Sequence, residues 1–346
     1  MVLNSENGMK MNGFSGRDKQ VLDKPILSVV VCTYNRDERL KAVLGNLCEQ
    51  LIQESEYEII IVDNNSNDNT HAVGEEFCRN HRNVRYCFEA KQGLAHARNR
   101  GLQEARGQYV GYTDDDCKVP KQWLVVAKEI IEQISPGVFG GPYFAYYNTP
   151  KPRWFKKSYD TYYSYNNGEK ARCLTPNEYL SGGNMFFRRA LLEELNGFDC
   201  KLGMLGNRIG LGEETALQEL MRAAMPNQLI YYEPRLYVYH LVPAMKMTIL
   251  WTARYRFMSG RYSQRIFHIH NWYKGDRHRL LKRAAFTLLT LGVDLAHAII
   301  LRDYTQYPYI QNYLYERTLY HFGTMGMVYE QYRQMLQESN SNRAFK

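Results

Sequence analysis

Four short apolar runs recur in the first third of the chain: 27–32 (LSVVVC), 58–62 (EIIIV), 84–88 (VRYCF) and 108–112 (QYVGY). Runs of this length, rich in β-branched and aromatic residues, are buried strands. Helical spacing fills the gaps between them. Leu40, Val43, Leu44, Leu47 and Leu51 make one apolar face, and a further helix begins within 92–100 (QGLAHARNR). Such alternation predicts an α/β fold, a mostly parallel sheet with helices on both faces. Right-handed crossovers then put the strand ends on one edge, where open α/β sheets bind ligands. Polar clusters sit at three of those ends, at 33–35, 63–66 and 114–116. They are far apart in sequence, yet this topology brings them to one crevice. Neither GxGxxG nor GxxxxGK[ST] occurs at these turns, which disfavours dinucleotide and P-loop readings.

The cluster after the fourth run is Asp114-Asp115-Asp116. Three adjacent carboxylates repel one another unless a cation neutralises them. Hard oxygen ligands suit Mg²⁺ or Mn²⁺, which bridge carboxylates to substrate phosphates. A solvated acidic turn is the alternative. Downstream, the pattern predicts a helix from Pro120 to about Ser135 and a strand over 138–147. A long irregular stretch follows at 148–178, then a Gly182-Gly183-Asn184 turn leading into the strand 185–187. Glu213-Glu214 opens another helix, where the helix dipole alone would favour two acids. The strands 228–232 and 235–239 end at His240.

Seven scattered cysteines with no CxxC argue for reduced thiols in a cytosolic setting and against a zinc site. Residues 1–24 are polar, with no apolar core of a signal peptide, and read as a disordered tail. Between Lys246 and Arg283 there are ten Lys or Arg and one acid, Asp276, a local excess of +9 against +8 for the whole chain. The basic surface therefore belongs to the C-terminal part and suits phosphate-rich partners, anionic lipid first. Nucleic acid is disfavoured because no RNP or KH pattern is present.

Seven pieces in order, SVVVCTYNR, EIIIVDNNSNDNT, KQGLAHARNRGL, YVGYTDDDC, LSGGNMFFRR, NGFD and GLGEET, resemble the inverting family 2 glycosyltransferases of the GT-A fold. The resemblance runs from Pro25 to about His240. It implies a GT-A catalytic domain over 25–242 and leaves 243–346 as a mainly helical, basic extension. It also implies a metal-dependent transferase. Such an enzyme moves a sugar from a nucleotide-diphosphate sugar, a UDP-sugar first, to a hydroxyl of a glycan or polyprenyl-linked acceptor in polysaccharide or glycoconjugate synthesis. By position, Thr33, Tyr34, Asn35, Asp63 and Asn64 would bound the nucleotide base. Arg98 would help hold the nucleotide, or else be a solvated helix residue. Asp116 would ligate Mn²⁺ or Mg²⁺, with Asp114 in support and His240 as a further metal contact. Asp115 would reach the ribose or sugar. Gly182, Gly183, Asn184 and Asp199 would form the acceptor side. Glu214, or alternatively Glu213, would take the acceptor's proton. Two departures stand out: Asn64 replaces a frequent second Asp, and Glu214 replaces an Asp. A GT-A protein that binds sugar nucleotides without chemistry is the rival class. A nucleotidyltransferase is disfavoured by TYNRDER, which lacks a Gly-rich triphosphate loop, and a processive synthase by the want of several spans.

In the extension, 245–283 is helical in pattern, basic and aromatic, and suits docking on the cytoplasmic leaflet. In the apolar run 284–301 and just before it, Arg283, Thr287, Thr290, Asp294 and His297 recur at steps of 4, 3, 4 and 3, so they share one helical stripe. An Asp in that stripe argues against a true span and for a helix packed on the protein or lying in the membrane interface. The Tyr-rich stretch 304–332 suits core packing or a homodimer surface.

Overall fold

The computed structural model describes residues 24–267 and 277–344. The expected tail, apart from Lys24, lies outside the described residues, as do Trp272, Tyr273 and Asp276 of the basic segment. In chain order the elements are β1 (Leu27–Thr33), α1 (Asp37–Cys48), β2 (Tyr57–Asp63), α2 (Thr70–Asn80), β3 (Val84–Phe88), α3 (Leu94–Glu104), β4 (Tyr109–Asp114), β5 (Cys117–Lys118) and α4 (Trp123–Gln133). There follow β6 (Val138–Gly140), β7 (Tyr143–Tyr146), β8 (Arg172–Cys173), β9 (Asn184–Arg188), α5 (Arg189–Glu194), α6 (Glu213–Ala224), β10 (Ile230–Tyr232) and β11 (Val238–Leu241). The C-terminal part is helical: α7 (Ile249–Phe267), α8 (Arg277–Ile300), the short α9 (Ile310–Tyr313) and α10 (Tyr320–Ala344).

Eight strands form one mixed sheet in the order β3-β2-β1-β4-β9-β6-β10-β8. β1 runs parallel to β2 and β4, while β9 is antiparallel to both β4 and β6. The period-two alternation of β1 and β2 explains why both faces are covered. Val29, Val31, Ile59 and Ile61 pack with Leu40 and Leu44 of α1 and with Trp123 and Ile130 of α4. Val30, Ile60 and Val62 point the other way, toward Ala97 and Leu102 of α3. Strands buried on both faces in this way read as continuous apolar runs. The fold is a mainly parallel α/β sheet covered by helices on both faces, with a helical C-terminal part, as expected.

Three local expectations need correction. The first helix stops at Cys48, so Leu51 falls outside its apolar face and is 62% exposed. The single strand expected over 138–147 is two, in different sheets. β6 ends at Gly140 and the chain crosses at Gly141-Pro142, where proline has no N–H to offer a ladder. β7 then joins β11 and β5 in a three-stranded sheet. His240 sits inside β11 rather than after a strand, facing Cys117 of β5 across an antiparallel pair.

α7 and α10 pack closely. A Cβ on Gly260 would fall 1.9 Å from the Gly323 carbonyl oxygen, so only glycine permits this crossing. Glu330 of α10 is fully buried and paired with Arg261 (3.0 Å), Arg265 (2.6 Å) and Arg333 (2.7 Å). Part of the basic segment's charge is thus spent inside the protein, which its composition alone does not reveal. Several of the C-terminal tyrosines are core. Tyr315 stacks on Tyr159 at 4.2 Å, in an aromatic cluster with Phe155 and Tyr163 that ties down the irregular 148–178 stretch.

Candidate active site

Register sets the geometry of the site. Thr33 of β1 lies level with Asp63 of β2, and Cys32 level with Asp114 of β4, so three strand ends finish together. A cleft of about 1810 Å³ opens there. It is lined by Thr33, Tyr34, Asn35, Asn64, Arg98, the three aspartates, Gly182, Gly183, Glu213, Glu214 and His240. Residues as distant in sequence as Thr33 and His240, 207 positions apart, therefore share one crevice, and Phe322 and Met325 of α10 line it too.

Asp114, Asp116 and His240 each offer a ligand atom within 4.8 Å of the others. Pairing of β11 with β5 brings His240 Nε2 to 3.3 Å from Asp116 Oδ1 and 3.7 Å from Asp114 Oδ2. Asp116 Oδ1 is buried and accepts no hydrogen bond. Such a group is costly to leave alone in a protein interior. Two carboxylates and an imidazole around an unsatisfied buried oxygen fit a divalent cation of the Mg²⁺ or Mn²⁺ kind. Burial works against the charge on Asp116, but His240, Lys246, Arg36 and Arg39 outweigh it and hold its carboxyl below the ordinary range. Asp115 goes the other way. Its burial pushes it up to about 6, although Arg36 Nη1 lies 2.7 Å from one oxygen and the Thr33 hydroxyl donates to the other at 2.9 Å. The triplet is therefore not a solvated acidic turn: Asp115 and Asp116 are 4% and 5% exposed.

Arg98 is not a solvated residue either. It lies 3% exposed at the sheet, donates to Glu213 Oε1 at 2.7 Å and stands 3.8 Å from Asp114 Oδ1. Gly182 makes room for it, since a Cβ there would meet Arg98 Nη2 at 2.5 Å; a Cβ on Gly183 would meet Asp114 Oδ2 at 2.7 Å. Glu213 and Glu214 begin α6 after Gly212, and the two carboxylates differ in surroundings. Glu213 is buried against Arg98, and burial together with the Glu214 charge pushes it up to about 8 in spite of the guanidinium. Glu214 is only half-buried and lines the cleft.

Three expected residues do not face the cleft. Asp63 accepts from Tyr86 Oη at 2.8 Å and from the Ser66 amide at 2.9 Å, and it does not line the cavity. Asn184 is fully buried. Its side chain accepts from Trp123 Nε1 and donates to the Pro142 and Leu236 carbonyls, so it ties the two sheets together and presents no atom to the cleft. Asp199 is exposed and caps its own turn by accepting from the Lys201 amide. Asn64 does line the cleft, but its amide is occupied in pinning the 89–93 turn, donating to the Glu89 and Lys91 carbonyls and accepting from the Gly93 amide. Arg36, Arg39 and Lys246, which surround the acidic triplet, carried no expected role. Arg36 follows the first strand end directly, and that position was the available signal.

Residues 28–196 match the sequence profile described as glycosyl transferase family 2. Glycosyltransferase AglE of Haloferax volcanii is 27% identical over 176 residues, which is 50% of this chain and 56% of that protein. The chain thus spans little more than half the length of that relative. The succinoglycan biosynthesis protein ExoM of Rhizobium meliloti is 25% identical over 240 residues, 68% of this chain and 73% of its own. Among solved structures, the mannosyltransferase PcManGT from Pyrobaculum calidifontis, in complex with GDP-Man and Mn²⁺, superposes with a TM-score of 0.58 at 20% identity. That match covers 90% of this chain and 88% of the other.

Proposed function

From the premise that this chain belongs to glycosyl transferase family 2, we propose that it is a metal-dependent inverting transferase. It moves a sugar from a nucleotide-diphosphate sugar to a hydroxyl of a glycan or lipid-linked glycan, in polysaccharide or glycoconjugate synthesis, in the cytoplasm or on the inner face of a membrane. The observation that carries this reading is the placing of Asp114, Asp116 and His240 in the same cleft as Glu214.

Asp116, Asp114 and His240 would hold Mn²⁺ or Mg²⁺. The cation, when bound, supplies Lewis-acid stabilisation of negative charge on the departing nucleoside diphosphate. Thr33, Tyr34, Asn35 and Asn64, which line the same cleft, would bound the base and ribose. Asp115, clamped by Arg36 and Thr33, keeps that wall in place. Inversion needs the acceptor hydroxyl to attack C1 from the face opposite the leaving group while a base takes its proton. Glu214 faces the cleft and is that base. Glu213 is engaged by Arg98, and the pair holds the first turn of α6 against the acidic triplet. Gly183, beside Asp114, belongs to the acceptor side of the same crevice.

Thermal-shift measurements with UDP-, GDP-, dTDP- and CMP-sugars, each with and without Mn²⁺, test this reading. UDP-sugars lead the donor candidates, and GDP-mannose is included because a protein of the same fold binds it. The correct donor at about 100 times its Kd stabilises the folded state by about 2.7 kcal/mol, a rise in Tm of about 5 °C for a domain of this size. That rise should vanish on adding EDTA. A donor that stabilises equally without metal, or no donor that stabilises at all, would contradict the proposal.

A further inference from the structure

α8 is amphipathic in the opposite sense to a helix on a water-soluble surface. Its polar stripe points inward: Thr287 is buried, Asp294 Oδ2 lies 2.7 Å from His321 Nε2 of α10, and Thr290 Oγ1 lies 3.5 Å from the other ring nitrogen. Its outward face is apolar. Phe286, Leu289, Val293, Ile299 and Ile300 are between 53% and 73% exposed, and Leu301 continues the face beyond the helix end. An exposed apolar surface of this extent marks an interaction site. The charge on the helix identifies the partner. Its first seven residues, RHRLLKR, include four Arg or Lys, and its one acid, Asp294, is the residue turned inward to His321. A cationic end followed by an apolar face fits a surface of anionic headgroups over hydrocarbon. Tyr304 and Tyr309, 64% and 41% exposed just after the helix, have the amphipathic character of residues at headgroup depth.

We propose that α8 docks the protein on an anionic lipid bilayer, lying in the plane of the interface with Phe286, Leu289, Val293 and Ile299 turned into the lipid. At 24 residues the helix is about 36 Å long, enough to cross a bilayer. The Asp294–His321 pair, however, fastens its polar side to α10, so it lies along the surface with only its outer face immersed. The docking element is therefore α8. Of the basic segment 245–283 expected to meet lipid, the α7 part has Arg261 and Arg265 committed to Glu330, and the part that opens α8 is the one left for the surface.

This inference does not depend on the transfer chemistry, because the test reads lipid binding alone. The full chain is mixed with sucrose-loaded vesicles of phosphatidylcholine, or of phosphatidylcholine with 30% phosphatidylglycerol (about one anionic lipid in three, as in a strongly anionic leaflet), and sedimented. Wild type should partition at least tenfold more strongly into the anionic vesicles, and less so in high salt. Leu289→Glu with Ile299→Glu should lose that binding at least tenfold, and Arg277→Gln with Lys282→Gln should lose the preference for anionic lipid. All four positions are exposed, and Arg277 gives up a contact over the Tyr332 ring at 5.8 Å, so Tm should change little and donor-induced thermal shifts should be those of wild type. Equal partition of wild type and the Leu289/Ile299 variant overturns the proposal. So does a dimer in solution that the same substitutions dissociate, since a second copy would then be what covers this face.

Discussion

Replacing Asp116 by asparagine is expected to lower kcat by about 10³-fold, the scale on which a group stabilising transition-state charge acts. The substitution keeps the shape of the side chain and removes its charge. In the native protein Asp116 Oδ1 is buried without a hydrogen bond, beside His240 Nε2 at 3.3 Å and within ligand distance of Asp114. That arrangement makes sense for an oxygen reserved for a cation. The protein's own fold should survive the change with a modest loss. The carboxyl is held below its ordinary range by His240, Lys246, Arg36 and Arg39, against the opposing effect of burial. A depressed carboxylate contributes stability above its unfolded pKa of about 3.9 and loses it as pH falls through the folded value. The Asp116→Asn variant would forgo that contribution at pH 7, so its Tm measured without metal should fall slightly while the Mn²⁺-dependent donor shift disappears. Steady-state turnover, normalised to folded protein by circular dichroism, provides the check. Turnover within tenfold of wild type would remove Asp116 from the metal site.

Glu214→Gln should lower kcat by about 10³-fold as well, in the middle of the range for general-base catalysis, with little change in donor KM. Glutamine fills the same space but cannot take a proton. Glu213 is not equipped to substitute. It is 4% exposed, its Oε1 is bound by Arg98 at 2.7 Å, and it is pushed up to about 8 by burial and by its neighbour. Glu213→Gln should have a much smaller effect on kcat and should change Tm little, because the amide oxygen can still accept from Arg98 and the native carboxyl, pushed up to about 8 by burial, is largely neutral at pH 7. Comparing kcat of the two variants separates the roles. If Glu214→Gln turned over like wild type while Glu213→Gln did not, the base would be Glu213.

The parts of this site that periodicity could reach were the strand ends. A buried parallel strand has one composition wherever it occurs, and crossover handedness does the rest, so Thr33, Asp114 and Asp116 could be brought together from spacing alone. What spacing could not show depends on distant partners. Arg98 looks like any helical arginine until Glu213, 115 positions later, is placed against it. Asn184 was given an acceptor role by the family resemblance, and nothing in its sequence neighbours speaks against it. It proved structural because Trp123 and two carbonyls from other segments converge on it. The stripe on α8 was visible at steps of three and four, but which side faced the protein was set by His321 of α10. For the same reason the strand expected over 138–147 could not be divided in advance. Its two halves pair with β9 and β10 in one sheet and with β11 in another.

Crystals of the full chain grown with Mn²⁺ and the nucleoside diphosphate of the best donor, measured at the manganese absorption edge, would locate the cation outright. An anomalous peak within about 2.5 Å of an Asp116 carboxylate oxygen and of His240 Nε2, facing Glu214 across the cleft, is the expected result. A peak elsewhere, or the same peak retained in the Asp116→Asn variant, would contradict the assignment of this crevice to metal-assisted sugar transfer.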